Sequence, residues 1–188
     1  MRFGLLARLV LVLIAIPATN AWADEYQDTI KVFKNAGESG SFFGKSHGYA
    51  VFPTIGKGGI GVGGAYGKGR VYVGGKHVGD TSMGQLTIGF QLGGQAYSQI
   101  IFFEDKRAFE EFSSGKFEFG AQASAVAITA GASAAATTAG SSAGASGGKN
   151  DATTVGKYSG GMAVFTVAKG GLMYEASIGG QKFGYTAK

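Results

Sequence analysis

Few residues in this chain could do chemistry, and the patterns they form stop short of a catalytic constellation. Gly59-Ile60-Gly61-Val62-Gly63-Gly64 fits G-x-G-x-x-G, a pattern that needs a strand before it and a helix after it, so that the helix N-terminus meets a pyrophosphate. Its continuation, Ala65-Tyr66-Gly67-Lys68-Gly69, is no helix start, and nucleotide binding is set aside. Gly67-Lys68 is not a Walker loop, because Val62 stands five residues before Gly67 and Gly69 follows the lysine. Two G-x-S-x-G matches, at 140–144 and 144–148, lie in a compositionally simple run with both histidines upstream, the wrong order for a nucleophile elbow. Ser113-Ser114-Gly115-Lys116 fits S-x-x-K without its companion signatures. Glu104-Asp105 and Glu110-Glu111 are sequence neighbours that point apart on a helix and do not form an acid pair. With no cysteine and only His47 and His77, a thiolate or imidazole metal centre is not expected. The sequence therefore predicts no catalytic residue, no metal and no cofactor, and a protein that is not an enzyme.

The cations carry more information. Between Thr29 and Gly79 stand Lys31, Lys34, Lys45, Lys57, Lys68, Arg70 and Lys76 against Glu38 alone, whereas from Asp80 to Lys188 the charges balance. A basic half of this kind suits an anionic partner, if enough of the cations share a face. Phe42 and Phe43, beside Lys45, are weak candidates for insertion into a membrane, because phenylalanines are more often interior.

The elements that must position these residues read as short strands and tight turns. The chain has 188 residues, 35 of them glycine, with apolar and aromatic residues spread among the glycines. That combination fits a packed sheet rather than disorder, and no Gly-X-Y period is present. Tyr26, Ile30 and Phe33 recur at helical spacing over Glu25–Ala36, and Gly37 and Gly40 should stop that helix. The segment 41–47 is too short to assign. Tyr49 to Pro53 reads as a strand ended by its proline. From Gly58 to Gly69 glycine alternates with larger residues, as on a strand whose bare face is closely approached. The clearest alternation sets Leu86, Ile88, Phe90 and Leu92 against Gln85, Thr87, Gly89 and Gln91, a half-buried strand.

Gly93-Gly94 supplies a turn into a strand over Gln95–Phe103. A helix follows to Phe112 with Asp105 as N-cap, then strand character over Lys116–Thr129. Residues 130–148 are all Ala, Gly, Ser or Thr and read as a flexible excursion, with a close-packed small-residue segment as the rival reading. Met162–Ala168 and Leu172–Ile178 form a predicted hairpin, and Lys182–Tyr185 a last short strand. The fold class is α+β, predominantly antiparallel β, with a curled or barrel-like sheet and a few covering helices.

Residues 1–23 have a basic start, an apolar run from Leu9 to Ile16, Pro17 and the small-residue pattern Ala21-Trp22-Ala23, which predicts a signal peptide cut after Ala23. The apolar run is too short for a bilayer span. A single domain over 24–188 is then expected, exported to a bacterial periplasm and peripheral to a membrane.

His47-Gly48-Tyr49-Ala50-Val51-Phe52-Pro53, continuing through the glycine-rich run to Gly69, resembles the hallmark of the SYLF lipid-binding family. Three further blocks match in order: Gly84-Gln85 with Gly94–Phe103, Phe117–Ser124, and Lys169–Ala176 with Gly179–Phe183. The resemblance spans residues 30–185 and points to a secreted bacterial single-domain member. It implies a non-enzymatic module for anionic phospholipid or phosphate-bearing lipid headgroups. In this chain Lys31, Lys34, Lys45, Lys57, Lys68, Arg70 and Lys76 would meet the phosphates. Some family members bind phosphoinositides or actin, neither of which an exported bacterial protein meets in its own compartment. The alternatives are a structural or protein-interaction role with an envelope partner, and a small outer-membrane β-barrel. The terminal Lys188 and the charged helices disfavour the barrel. No nucleic acid partner is expected.

Overall fold

The computed structural model describes residues 21–60, 62–88, 94–128, 158–169 and 177–188. Residues 1–20 of the expected signal peptide, the Ala/Gly/Ser/Thr run 130–148 and the expected strand Leu172–Ile178 up to Ala176 lie outside them.

The elements are helices α1 (Ala21–Asn35), α2 (Gly37–Gly40) and α3 (Lys106–Ser113), with strands β1 (Gly48–Ile60), β2 (Val62–Val73), β3 (Lys76–Ile88), β4 (Gln95–Phe103), β5 (Val126–Ile128), β6 (Met162–Lys169) and β7 (Lys182–Ala187). The strands form one sheet in the order β5-β6-β4-β1-β2-β3-β7, antiparallel except where β5 runs parallel to β6. Among the described residues the sheet is not closed, and the α+β, mostly antiparallel class holds. Beyond β7 the chain at 117–119 adds a short rung, with Phe119 N–H on the Gln181 carbonyl at 3.0 Å and Phe183 N–H on the Phe117 carbonyl at 3.0 Å. That rung covers backbone groups an edge strand would leave open.

Alternation along the strands divides the core in two. On one face Ala50, Phe52, Ile55, Val71, Met83, Ile101, Phe103, Val164 and Phe183 pack with Ala108 and Phe112 of α3. On the other Val51, Tyr72, Ile100, Phe102, Phe165 and Val167 pack with Ile30 and Phe33 of α1 and with Phe42. α3 starts where Asp105 caps it, its carboxylate accepting from Ala108 N–H at 2.8 Å, as the sequence predicts.

Several boundaries differ for local physical reasons. Pro53 does not end β1: the register shifts between Val51 and Ile55, so the residue without an N–H falls where a ladder bond is missing anyway. The glycine-rich run is two strands rather than one, with β1 and β2 joined at residue 61 and Ile60 paired with Val62. Gly59, at φ +144°, lies so close to Gly63 and the Val62 carbonyl that no side chain would fit. β3 begins ten residues before the alternation at Leu86 and is described only to Ile88. Strand character over Lys116–Thr129 reduces to β5 and isolated bridges at Glu118 and Ser124.

Candidate functional site

The first helix sits on the β1–β2 face through three polar or aromatic anchors near its start. Thr54 Oγ1 donates to Glu25 Oε1 at 2.9 Å, and Lys169 Nζ donates to Thr54 Oγ1 at 2.7 Å, so one hydroxyl joins α1 to β1 and β6. The Arg70 guanidinium lies 4.2 Å from the centre of the Tyr26 ring. Burial pushes the Tyr26 hydroxyl pKa up, while the Arg70 charge pulls it the other way. Buried Ile30 and Phe33 seat the helix further along the same face.

The corner after α1 gathers two more cations. Lys34 Nζ stands 5.4 Å from the centre of the Phe43 ring, and Lys45 Nζ stands 4.5 Å from that of Phe42. Phe42 is only 2% exposed and stacks on Phe102 at 5.5 Å; Phe43 is half-buried and meets Phe102 and Tyr49 edge-on. Phe42 as placed is therefore core, not an inserting residue.

Cross-strand register places the remaining cations. Lys68 and Arg70 share the α1 face of β2 with Tyr66 and Tyr72, because Val71 and Ala65 between them point to the α3 side. Lys57 pairs with Ala65 and so takes the opposite pleat, near the β1–β2 turn. Lys76 pairs with Val73 at the other end of the sheet. The helix corner and the β2 face thus bring Lys34, Lys45, Lys68 and Arg70 to one side of the sheet with Lys31 on α1, while Lys57 and Lys76 mark opposite ends. Of the seven, only Lys31 has a carboxylate within ion-pair distance among the described residues, Asp28 at 3.6 Å.

On the same side as Lys68, no described residue covers the sheet beyond α1. Val62, Tyr66 and Leu86 are 69%, 58% and 83% exposed there. Sequence alternation marks Leu86 as a buried position, but its neighbour Gln85 is buried instead, donating Nε2 to the Gly179 carbonyl at 2.9 Å. A rule that buries the larger apolar set fails here because no described residue packs over this end of the face, and Gly56, Gly58 and Gly84 bring no side chains to flank the leucine. A count of glycines at outward positions would have found the gap.

Among the described residues no acid, base and nucleophile come together. The cleft of about 400 Å³ lined by Glu118, Phe119, Gly120, Ala121, Gly179 and Gly180 has one titratable lining group, Glu118, 3.8 Å from Lys182 Nζ. Among the described residues no three His, Asp or Glu converge as metal ligands, and no helix is long and apolar enough to cross a membrane.

Among the described residues, an open antiparallel sheet carries unpaired cations on one side and a bare apolar patch, a make-up suited to binding. The chain belongs to the Ysc84 family of SYLF domains, whose family model, described as a Las17-binding protein actin regulator, matches residues 84–184. It is also 32% identical over 168 residues to beta cell expansion factor A of Aeromonas veronii, a protein of the same family. That match covers 88% of this chain and 55% of the relative, so the chain spans about half the length of the curated relative it matches. Membership is consistent with binding to lipid or to protein.

Proposed function

We propose that this chain is a non-enzymatic module that associates peripherally with anionic phospholipid or other phosphate-bearing lipid headgroups of the bacterial envelope, after export directed by residues 1–23. The observation that carries this reading is the set of cations. Lys34, Lys45, Lys57, Lys68, Arg70 and Lys76 lack a carboxylate partner among the described residues, so their charge is free to meet phosphate. Near an anionic surface each such residue contributes about 1 kcal/mol, and four on one side suffice for reversible association once some apolar contact is added.

Co-sedimentation with neutral and anionic vesicles, at low and moderate salt, tests it. The expected result is salt-sensitive binding to anionic vesicles that weakens when Lys68 and Arg70 are replaced by Gln. If the chain ignores every vesicle composition, the lipid reading fails. A protein partner, the kind of ligand printed in the family's own description, then takes its place. Mass spectrometry of the periplasmic fraction tests the export step, with an N-terminus at Asp24 expected.

A further inference from the structure

The uncovered end of the sheet has a specific make-up. Leu86 lies opposite Gly64, and Tyr66 lies between Gly84 on β3 and Gly56 on β1. Val62 stands two pleats further along β2 on the same face. A Cβ built at Gly56, Gly58 or Gly84 would meet nothing within 4 Å. Three apolar or amphipathic side chains therefore rise from a floor of bare backbone, an arrangement that leaves apolar surface in water with no cover among the described residues.

The charge around this patch is one-sided. The sequence has no acidic residue from Ser39 to Gly79 and no charged residue of either sign from Thr81 to Phe103. Lys68 follows Tyr66 on the same face, and Lys57 stands by the β1–β2 turn. The nearest carboxylate along β3, Asp80, is six residues from Leu86, about 20 Å of strand away, and is hydrogen-bonded to His77 at 2.8 Å. A tyrosine between a leucine and a lysine is the order that a membrane interface selects, with the apolar tip toward the acyl chains, the phenol at the headgroups and the ammonium on phosphate.

We infer that the β1–β2–β3 face around Val62, Tyr66 and Leu86 is the surface that enters an anionic bilayer interface, with Lys68 on the phosphates, rather than α1 or the Phe42–Phe43 corner. The inference rests on the lipid reading above and gives it an address. Val32, exposed on α1, marks the competing surface.

The test uses the chain recovered after export, in a Trp22→Phe background so that an introduced tryptophan is the sole one whether or not the leader has been removed. Leu86→Trp is expected to shift its emission to the blue on anionic phosphatidylglycerol vesicles and to be quenched by brominated acyl chains, while Val32→Trp is not. Leu86→Ser with Tyr66→Ser should weaken vesicle binding at least tenfold at unchanged melting temperature, because both side chains are exposed in the folded protein. If the parent chain binds vesicles and the double variant binds equally well, or if Val32→Trp is the reporter that responds, this address is wrong and the lipid reading stands. If the parent binds no vesicle, both fall. A Leu86→Trp shift that rises with protein concentration and needs no lipid would assign the face to self-association and overturn the inference.

Discussion

Gln99 and Gln181 exchange amide hydrogen bonds inside the sheet: Gln99 Nε2 donates to Gln181 Oε1 at 2.9 Å, and Gln181 Nε2 donates to Gln99 Oε1 at 3.1 Å. Both are fully buried, one on β4 and the other just before β7, so the pair ties together strands that are four places apart in the sheet. Gln181 Nε2 also donates to the Tyr97 hydroxyl at 3.2 Å. Removing one amide leaves its partner buried without a bond, at a cost of about 1–3 kcal/mol. Gln99→Leu and Gln181→Leu are each expected to destabilise by that amount, and the double variant by clearly less than their sum. Urea unfolding of the four proteins checks it, and strict additivity would mean that the two side chains do not depend on each other.

Thr166 lies opposite Gln99 in the β4–β6 ladder, is fully buried, and its hydroxyl has no hydrogen-bond partner among the described residues. A buried hydroxyl without a partner is a liability that an apolar group of the same shape removes. Thr166→Val is expected to raise stability by about 1 kcal/mol. A loss in the same unfolding measurement would show that the hydroxyl has a partner after all.

Much of this interior was legible in advance. The Gln95–Phe103 strand, the Asp105 cap and Met162–Ala168 follow from patterns that each involve a few neighbouring residues. The two-strand reading of the glycine run was not legible, because alternation of glycine with apolar residues continues unchanged from Ile60 to Val62, where one strand gives way to the next. The Gln99–Gln181 pair was also invisible, since 82 residues separate its members and no local rule connects them. Leu86 misled for the opposite reason: its pattern is strong, but among the described residues nothing packs over Gly56, Gly58 and Gly84 to form the covering layer that the pattern presupposes. Of the cations, sequence showed the excess but not that Lys57 and Lys76 stand apart from the α1 side.

Tyr97 and Tyr49 both have hydroxyl pKa values pushed up to about 12, in each case chiefly by burial. For both, the folded state holds the proton more tightly than an unfolded chain does near pH 10. The stability this represents is fully present below pH 10 and is lost as pH rises toward 12, because the unfolded chain releases its protons first. For buried Tyr97 the loss is on the order of 2 kcal/mol; Tyr49 adds to it in the same direction. Unfolding midpoints should fall between pH 10 and 12, and Tyr97→Phe should flatten that fall. A Tyr97→Phe protein with an unchanged pH slope would locate the effect elsewhere.

The glycines offer the sharpest contrast because their neighbours differ so much within one sheet. A methyl at Gly69 would meet the Phe52 ring at 2.8 Å and the Val51 carbonyl at 2.8 Å, and one at Gly67 would meet Ile55 Cγ1 at 2.6 Å and the Thr54 carbonyl at 3.0 Å. Both point to the α3 side, where β1 packs its large side chains over them. Gly84, on the opposite pleat of β3, has open space. Gly69→Ala is therefore expected to cost about 1–3 kcal/mol by overpacking. Gly84→Ala should be neutral or stabilising by a few tenths, because alanine surrenders less backbone freedom than glycine and nothing resists its methyl. Thermal melts of the two single variants decide this directly. Equal losses at both positions would mean that backbone conformation rather than close approach sets the need for glycine in these strands.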